Sequence, residues 1–161
     1  MKYRITTSNM KKLSGKKMTM SMADNKTSLL WREFMKNRHI IKNGVSDDLY
    51  ALQIYDTDYF SNFDPDRTFV KYALCEVSSF DDLAADMISF TLPAGLYAVF
   101  TYKGAASEGA NAFQYIFSEW LPQSGYQVDE RPHFELLGEK YKNNDPDSEE
   151  EIWIPVKPKN K

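Results

Sequence analysis

Two acid-proline-acid turns, Asp64-Pro65-Asp66 and Asp145-Pro146-Asp147, stand 81 residues apart, each just ahead of an apolar segment of strand character. Leu49 and His133, at comparable points of the preceding strand segments, are 84 apart. Two offsets of nearly the same size from unrelated features imply a duplicated unit, with a first repeat over about residues 1–80 and a second over about 85–157. Neither half has the bulk for a secure core of its own, so the expectation is one domain spanning residues 1–161. Its fold class is expected to be α+β: duplicated strand-helix-strand-strand units with pseudo-twofold symmetry. The antiparallel sheets should leave a ligand cleft between the halves, on the faces turned away from the helices.

The local patterns fill in that unit. From Asn25 to about His39, Leu30, Trp31, Phe34 and Met35 form one stripe, with Asp24 or Asn25 placed to cap the first turn. From about Glu108 to Leu121, the stripe is Ala112, Phe113, Ile116, Phe117, Trp120 and Leu121, with Ser107 as cap and Pro122 as stop. Trp31 and Trp120 therefore read as core. Segments 49–55, 69–77, 96–102, 134–137 and 152–156 are β-branched or aromatic and bounded by Gly, Pro, Asn or Asp, hence strands. Earlier strands are expected within residues 5–22 and near 87–92. The acidic run from Asp145 to Glu151 lacks the central Gly of a calcium loop and reads as a solvated connection.

Charge and composition exclude several classes. The net charge is −3, and positive charge gathers in Lys2, Arg4, Lys11, Lys12, Lys16 and Lys17 and in the tail Lys157, Lys159 and Lys161, which disfavours direct nucleic-acid binding. No apolar run reaches membrane-spanning length and no signal peptide is legible, so a cytoplasmic setting is expected. Cys75 stands alone in an apolar strand and reads as a small buried hydrophobe. With His39 and His133 the only histidines, there is no metal quartet and no catalytic triad, and no cofactor is expected.

The stretch from Leu92 is more specific than periodicity. LPAGLYAVFTYKG, EWLPQSGY, RPHFELLGEKY and EEIWIPVK resemble the GyrI-like small-molecule-binding domain, the effector-binding domain of many AraC-type and multidrug-responsive bacterial regulators. KTSLLWREFM, LYALQIYD and FVKYALCEV are similar to its stand-alone branch. The most specific parts are Pro93-Ala94-Gly95, Trp120-Leu121-Pro122 with Ser124-Gly125-Tyr126, and Ile154-Pro155-Val156. The resemblance implies a pocket for a bulky aromatic or cationic molecule, with a central glutamate that falls at Glu135. With no helix-turn-helix segment before Met1 or after Lys161, a free-standing version is expected.

Strand alternation puts Phe134 and Leu136 on one face and Glu135 on the other. If the Phe134 face packs under the second helix, Glu135 enters the cleft, where it would attract an organic cation or act as a general acid or base. On alternation alone a solvated carboxylate is the commoner case; the resemblance reverses that reading. Tyr55, Tyr72, Tyr97 and Trp153 are the candidate aromatic walls, with facings that depend on strand register. The leading expectation is therefore a binding module for a small molecule. One alternative is a hydrolase of cyclopropane-bearing alkylating compounds, with Glu135 as catalytic base; another is a gyrase-inhibitor-like protein-interaction role. Oligomeric state stays open.

Overall fold

In the computed structural model, all residues are described except those numbered 57, 60, 61 and 161, so the expected tail charge at Lys161 lies outside the described residues. The fold is α+β, and the strand pairings within each of its two units are antiparallel. The chain divides into two compact units, one of residues 1–9 with 94–161 and the other of residues 10–93.

The unit of residues 10–93 contains β2 (Lys11–Ser21), α1 (Thr27–Asn37), β3 (Gly44–Ile54), β4 (Thr68–Val77) and β5 (Ile88–Leu92), with strand order β3-β4-β2-β5. The N-cap position of α1 is Lys26, whose side chain makes no capping bond; Asn25 Oδ1 instead accepts from Thr27 N–H at 2.9 Å in a turn just ahead of the helix. The core beneath α1 is built from Leu30 and Phe34 of the helix against Met20, Phe69, Ala73, Cys75 and Val77. Trp31 packs at its margin, edge-on to Phe34 at 5.7 Å. Cys75 is buried, and that burial pushes its thiol pKa up, as expected of an inert small hydrophobe.

The other unit contains β1 (Tyr3–Ser8), β6 (Gly95–Lys103), α2 (Gly109–Tyr115), β7 (Tyr126–Val128), β8 (His133–Leu137) and β9 (Glu149–Pro158). Its strand order is β1-β6-β9-β8, with β7 on the far end of β9. The helix does not stop at Tyr115. It runs on through a π-helical turn, Ile116–Trp120, into a last α-turn, α3 (Leu121–Gln123). Ala112 and Ile116 close over Ala98, Phe100, Ile152, Ile154 and Val156, with Trp120 packed alongside.

Each unit thus repeats one plan: strand, helix, strand, turn, strand. The two acid-proline-acid turns are built alike. Asp66 N–H donates to Asp64 Oδ1 at 2.9 Å and Arg67 N–H to Asp64 O at 2.9 Å; Asp147 N–H donates to Asp145 Oδ1 at 2.8 Å and Ser148 N–H to Asp145 O at 3.0 Å. The division of the chain is not one of first half and second half, however. β1 pairs with β6, from Tyr3↔Phe100 to Ser8↔Gly95, so residues 3–8 complete the unit made of the later segments. The corresponding edge strand of the other unit, β5, pairs with β2.

Three local expectations change. Ser107 places no side chain on the helix start; its N–H donates instead to Asn144 Oδ1 at 3.1 Å. Glu149, Glu150 and Glu151 are not a solvated loop but the opening of β9, paired with Lys103, Tyr102 and Thr101. Phe117 leaves the core and is 37% exposed, because the wider π-helical turn shifts the phase of the stripe after Tyr115.

Candidate functional site

Register decides which way Glu135 faces. On β8 and β9, Phe134 lies opposite Trp153, Glu135 opposite Ile152 and Leu136 opposite Glu151. Ile152 belongs to the core under the helix, so Glu135 shares that helix-bearing side, together with His133. Phe134 is on the other side, stacked on Trp153 at 5.1 Å and edge-on to Tyr97 at 5.6 Å. The condition that the Phe134 face packs under the second helix is therefore reversed. The physical reason lies in β6 and β9. Ala98, Phe100, Ile152, Ile154 and Val156 form the apolar face that the helix covers, while the rings of Tyr97 and Trp153 occupy the opposite side.

The five candidate residues consequently fall in separate places. Tyr97 and Trp153 are brought together, 5.4 Å apart, but on the side away from Glu135. Both already have local partners. The Arg131 guanidinium lies over Tyr97 at 4.6 Å, and burial pushes the Tyr97 phenol up while the Arg131 charge pulls it down. Trp153 Nε1 donates to Glu151 Oε1 at 3.1 Å, and Glu151 is paired with Arg4 at 2.9 Å. In the unit of residues 10–93, Tyr55 packs on the α1 side against Tyr59 at 4.9 Å and Phe69 at 5.1 Å. Tyr72 lies on the opposite side of β4, against Phe90 at 5.0 Å, and burial raises its phenol.

Around Glu135 the structure assembles a different group. Glu150 sits one step along the same face, because it and Ile152 alternate on β9. The Tyr141 phenol is raised first by burial, then by the charges of Glu150 and Glu135. Tyr102, opposite Glu150, is raised by burial and by Glu108 and Glu150. Both phenols therefore stay protonated and neutral at ordinary pH. Glu135 is half-buried, and its carboxylate makes no hydrogen bond or ion pair with any described residue. Sequence reasoning missed Glu150, Tyr102 and Tyr141. For Glu150 the signal was present, since Glu150, Ile152, Ile154 and Val156 alternate and so share one face.

His133 forms the wall next to this group, stacked on Phe117 with ring centroids 6.1 Å apart. Burial lowers its pKa from 6.5 to about 4, so the imidazole adds no positive charge beside Glu135 at neutral pH. An unfolded chain takes up that proton near 6.5 and the folded one only near 4. Stability is therefore full above 6.5 and declines as pH falls through that window. Chemical denaturation between pH 7 and 5, where carboxylates stay ionised, should show that decline in the parent and a flatter profile in His133→Phe; identical profiles would refute it.

Two cavities accompany these features. One of about 600 Å³ lies between β1, the helix end and β7, and one of about 630 Å³ lies beside Arg38, His39 and Lys42 at the end of α1. None of Glu135, Tyr55, Tyr72, Tyr97 and Trp153 lines either of them. No cluster of three or more metal-ligating side chains exists among the described residues, and no described helix is long and apolar enough to cross a membrane.

The repeated strand-helix-strand-strand plan is that of an effector-binding domain. The family model described as integron-associated effector binding protein, Cass2, matches residues 1–156, and the chain belongs to that family. The transcriptional regulator BrlR of Pseudomonas aeruginosa is 30% identical over 128 residues, spanning 79% of this chain and 45% of the regulator. The chain thus matches rather less than half of that relative's length. Among solved structures, SAV2435 bound to tetraphenylphosphonium superposes with a TM-score of 0.74 at 20% identity, covering 98% of this chain and 94% of that one. The integron cassette protein of Vibrio cholerae gives 0.65 at 17% identity, covering 96% and 95%. At such identities these two similarities speak for the fold alone.

Proposed function

We propose that this protein binds a bulky organic cation and that Glu135 supplies the counter-charge. The observation that carries this reading is the half-buried Glu135 carboxylate with no cationic partner among the described residues, beside a second carboxylate, Glu150. Partial burial strengthens a charge's field, and an unpaired carboxylate in such a place is stabilised by any cation that can reach it. The neutral rings of Tyr141 and Phe117 suit an organic cation better than a hydrated metal ion. The lipophilic cation bound by SAV2435 supports the same ligand class.

Tetraphenylphosphonium is the direct probe. At about 100 times its dissociation constant it should add about 2.7 kcal/mol, which raises the melting temperature of a chain this size by about 5–10 °C. Glu135→Gln keeps the shape and removes the charge, and should weaken binding by about tenfold or more. Equal shifts in parent and variant would remove Glu135 from the site. Recovering the probe unchanged after prolonged incubation speaks for a binder; a covalently altered alkylating ligand would instead favour the hydrolase.

A further inference from the structure

We infer that the groove between β1, the helix end and β7 is a second small-molecule site, which takes a planar aromatic monocation independently of Glu135. The groove measures about 600 Å³, within the span of roughly 300–1,000 Å³ typical of small-molecule sites. Tyr3, Tyr115, Trp120 and Tyr126 give it aromatic walls, and Glu119 is the one charged side chain among its lining residues. Tyr3 meets Trp120 edge-on at 5.1 Å, and Trp120 is held from below by Phe100 at 4.9 Å, nearly perpendicular. These contacts fix the indole, and Tyr3, itself 5.8 Å from Phe100, stays 54% exposed and so leaves ring surface open to a ligand.

Two observations separate this groove from Glu135. Along β1-β6-β9-β8, two strands lie between β1 and β8, which places them about 14 Å apart at ordinary strand spacing. The π-helical turn also sends its aromatic residues both ways: Phe117 goes to His133 on β8, and Trp120 to Tyr3 on β1. A π-helical turn inside an α-helix is uncommon and recurs at functional sites. The charge preference follows from what is present. Glu119 makes no ion pair with any described residue, and the ammonium of Lys159, near the helix end, is engaged by Pro122 O at 3.0 Å. Ring faces and a carboxylate without a fixed cation favour a flat cation over an anion.

Gly125 gives the test its handle, because a Cβ built there meets no atom within 4 Å although the residue lines the groove. Ethidium binding is measured by equilibrium dialysis on the full chain. Glu135→Gln should still bind one ethidium per chain. Adding Gly125→Phe should lower that residual affinity by more than about tenfold as the ring fills the groove, and adding Glu119→Gln should lower it by about fivefold. The inference is overturned if Glu135→Gln binds no ethidium, or if the residual binding ignores Gly125→Phe. Should Gly125→Phe not fold, the exposed isosteric change Glu119→Gln decides, and unchanged affinity overturns the inference. Failure of the Glu135 reading shows differently, as equal binding by parent and Glu135→Gln, and leaves the Gly125 comparison intact.

Discussion

Gly15→Ala will cost about 3 kcal/mol or more, the upper range for an overpacked interior position, and lower the melting temperature by about 6–12 °C. Gly15 is paired on both sides, with Leu74 of β4 and Ile88 of β5. A Cβ there would overlap the Ala73 carbonyl oxygen and stand 2.9 Å from Leu74 Cα. Both obstacles are backbone, so no rotamer change relieves them, and β2 must part from β4 or twist out of register. Because β2 is flanked on both sides, that movement disturbs two ladders at once. Equilibrium urea denaturation of parent and variant reads the effect directly. A loss below 1 kcal/mol would show that the β2–β4 ladder yields far more easily than its geometry implies.

Much of this fold was legible along the chain because it rests on local signals. Segments 69–77, 96–102 and 152–156 fall inside β4, β6 and β9, since β-branched and aromatic runs bounded by turn residues need no knowledge of their partners. The two acid-proline-acid turns are equally local, each held by an aspartate side chain accepting from the backbone two residues on. Pairing is not local. Nothing within Tyr3–Ser8 announces that it completes the β6 sheet, and β7 is only three residues long, below any periodic signal. The π-helical turn is similarly invisible, because a 3.6-residue stripe extrapolated past Tyr115 carries Phe117 into the core.

The candidate site shows where that boundary bites. The alternation of Phe134 and Glu135 was plain, and so was the chemical distinction between them; which side the helix covers was not. That choice is made by Ala98, Phe100, Ile152 and Ile154, on two strands other than β8, and it separates Glu135 from Tyr97 and Trp153 while joining it to Glu150 and Tyr141. A carboxylate's residue type is a local fact, whereas its neighbours are a consequence of register.

Register is itself held by specific contacts, and Arg131 holds the end of the sheet nearest Tyr97. Its side chain is 12% exposed; Nε donates to Asp129 Oδ2 at 3.1 Å, and Nη2 donates to the carbonyls of Leu96 on β6 and Val156 on β9. The guanidinium also covers the Tyr97 ring. Arg131→Ala should cost about 3 kcal/mol, because it leaves two strand carbonyls and Asp129 Oδ2 without their donor. Arg131→Lys should restore little, since an ammonium cannot reach three acceptors in one plane and lie flat on a ring. Gly95 is the complement of this arrangement. Its φ of +156° is one that L side chains rarely adopt, and a Cβ there would run into the guanidinium, 3.0 Å from Nε and closer to its other atoms. Gly95→Ala alone should therefore cost about 2 kcal/mol, the sum of backbone strain and displaced arginine. In the Arg131→Ala background only the strain remains, so the two losses should fall short of additivity by about 1 kcal/mol. Strict additivity in that double-mutant cycle would mean that Gly95 serves the backbone alone and that the guanidinium does not depend on the space it leaves.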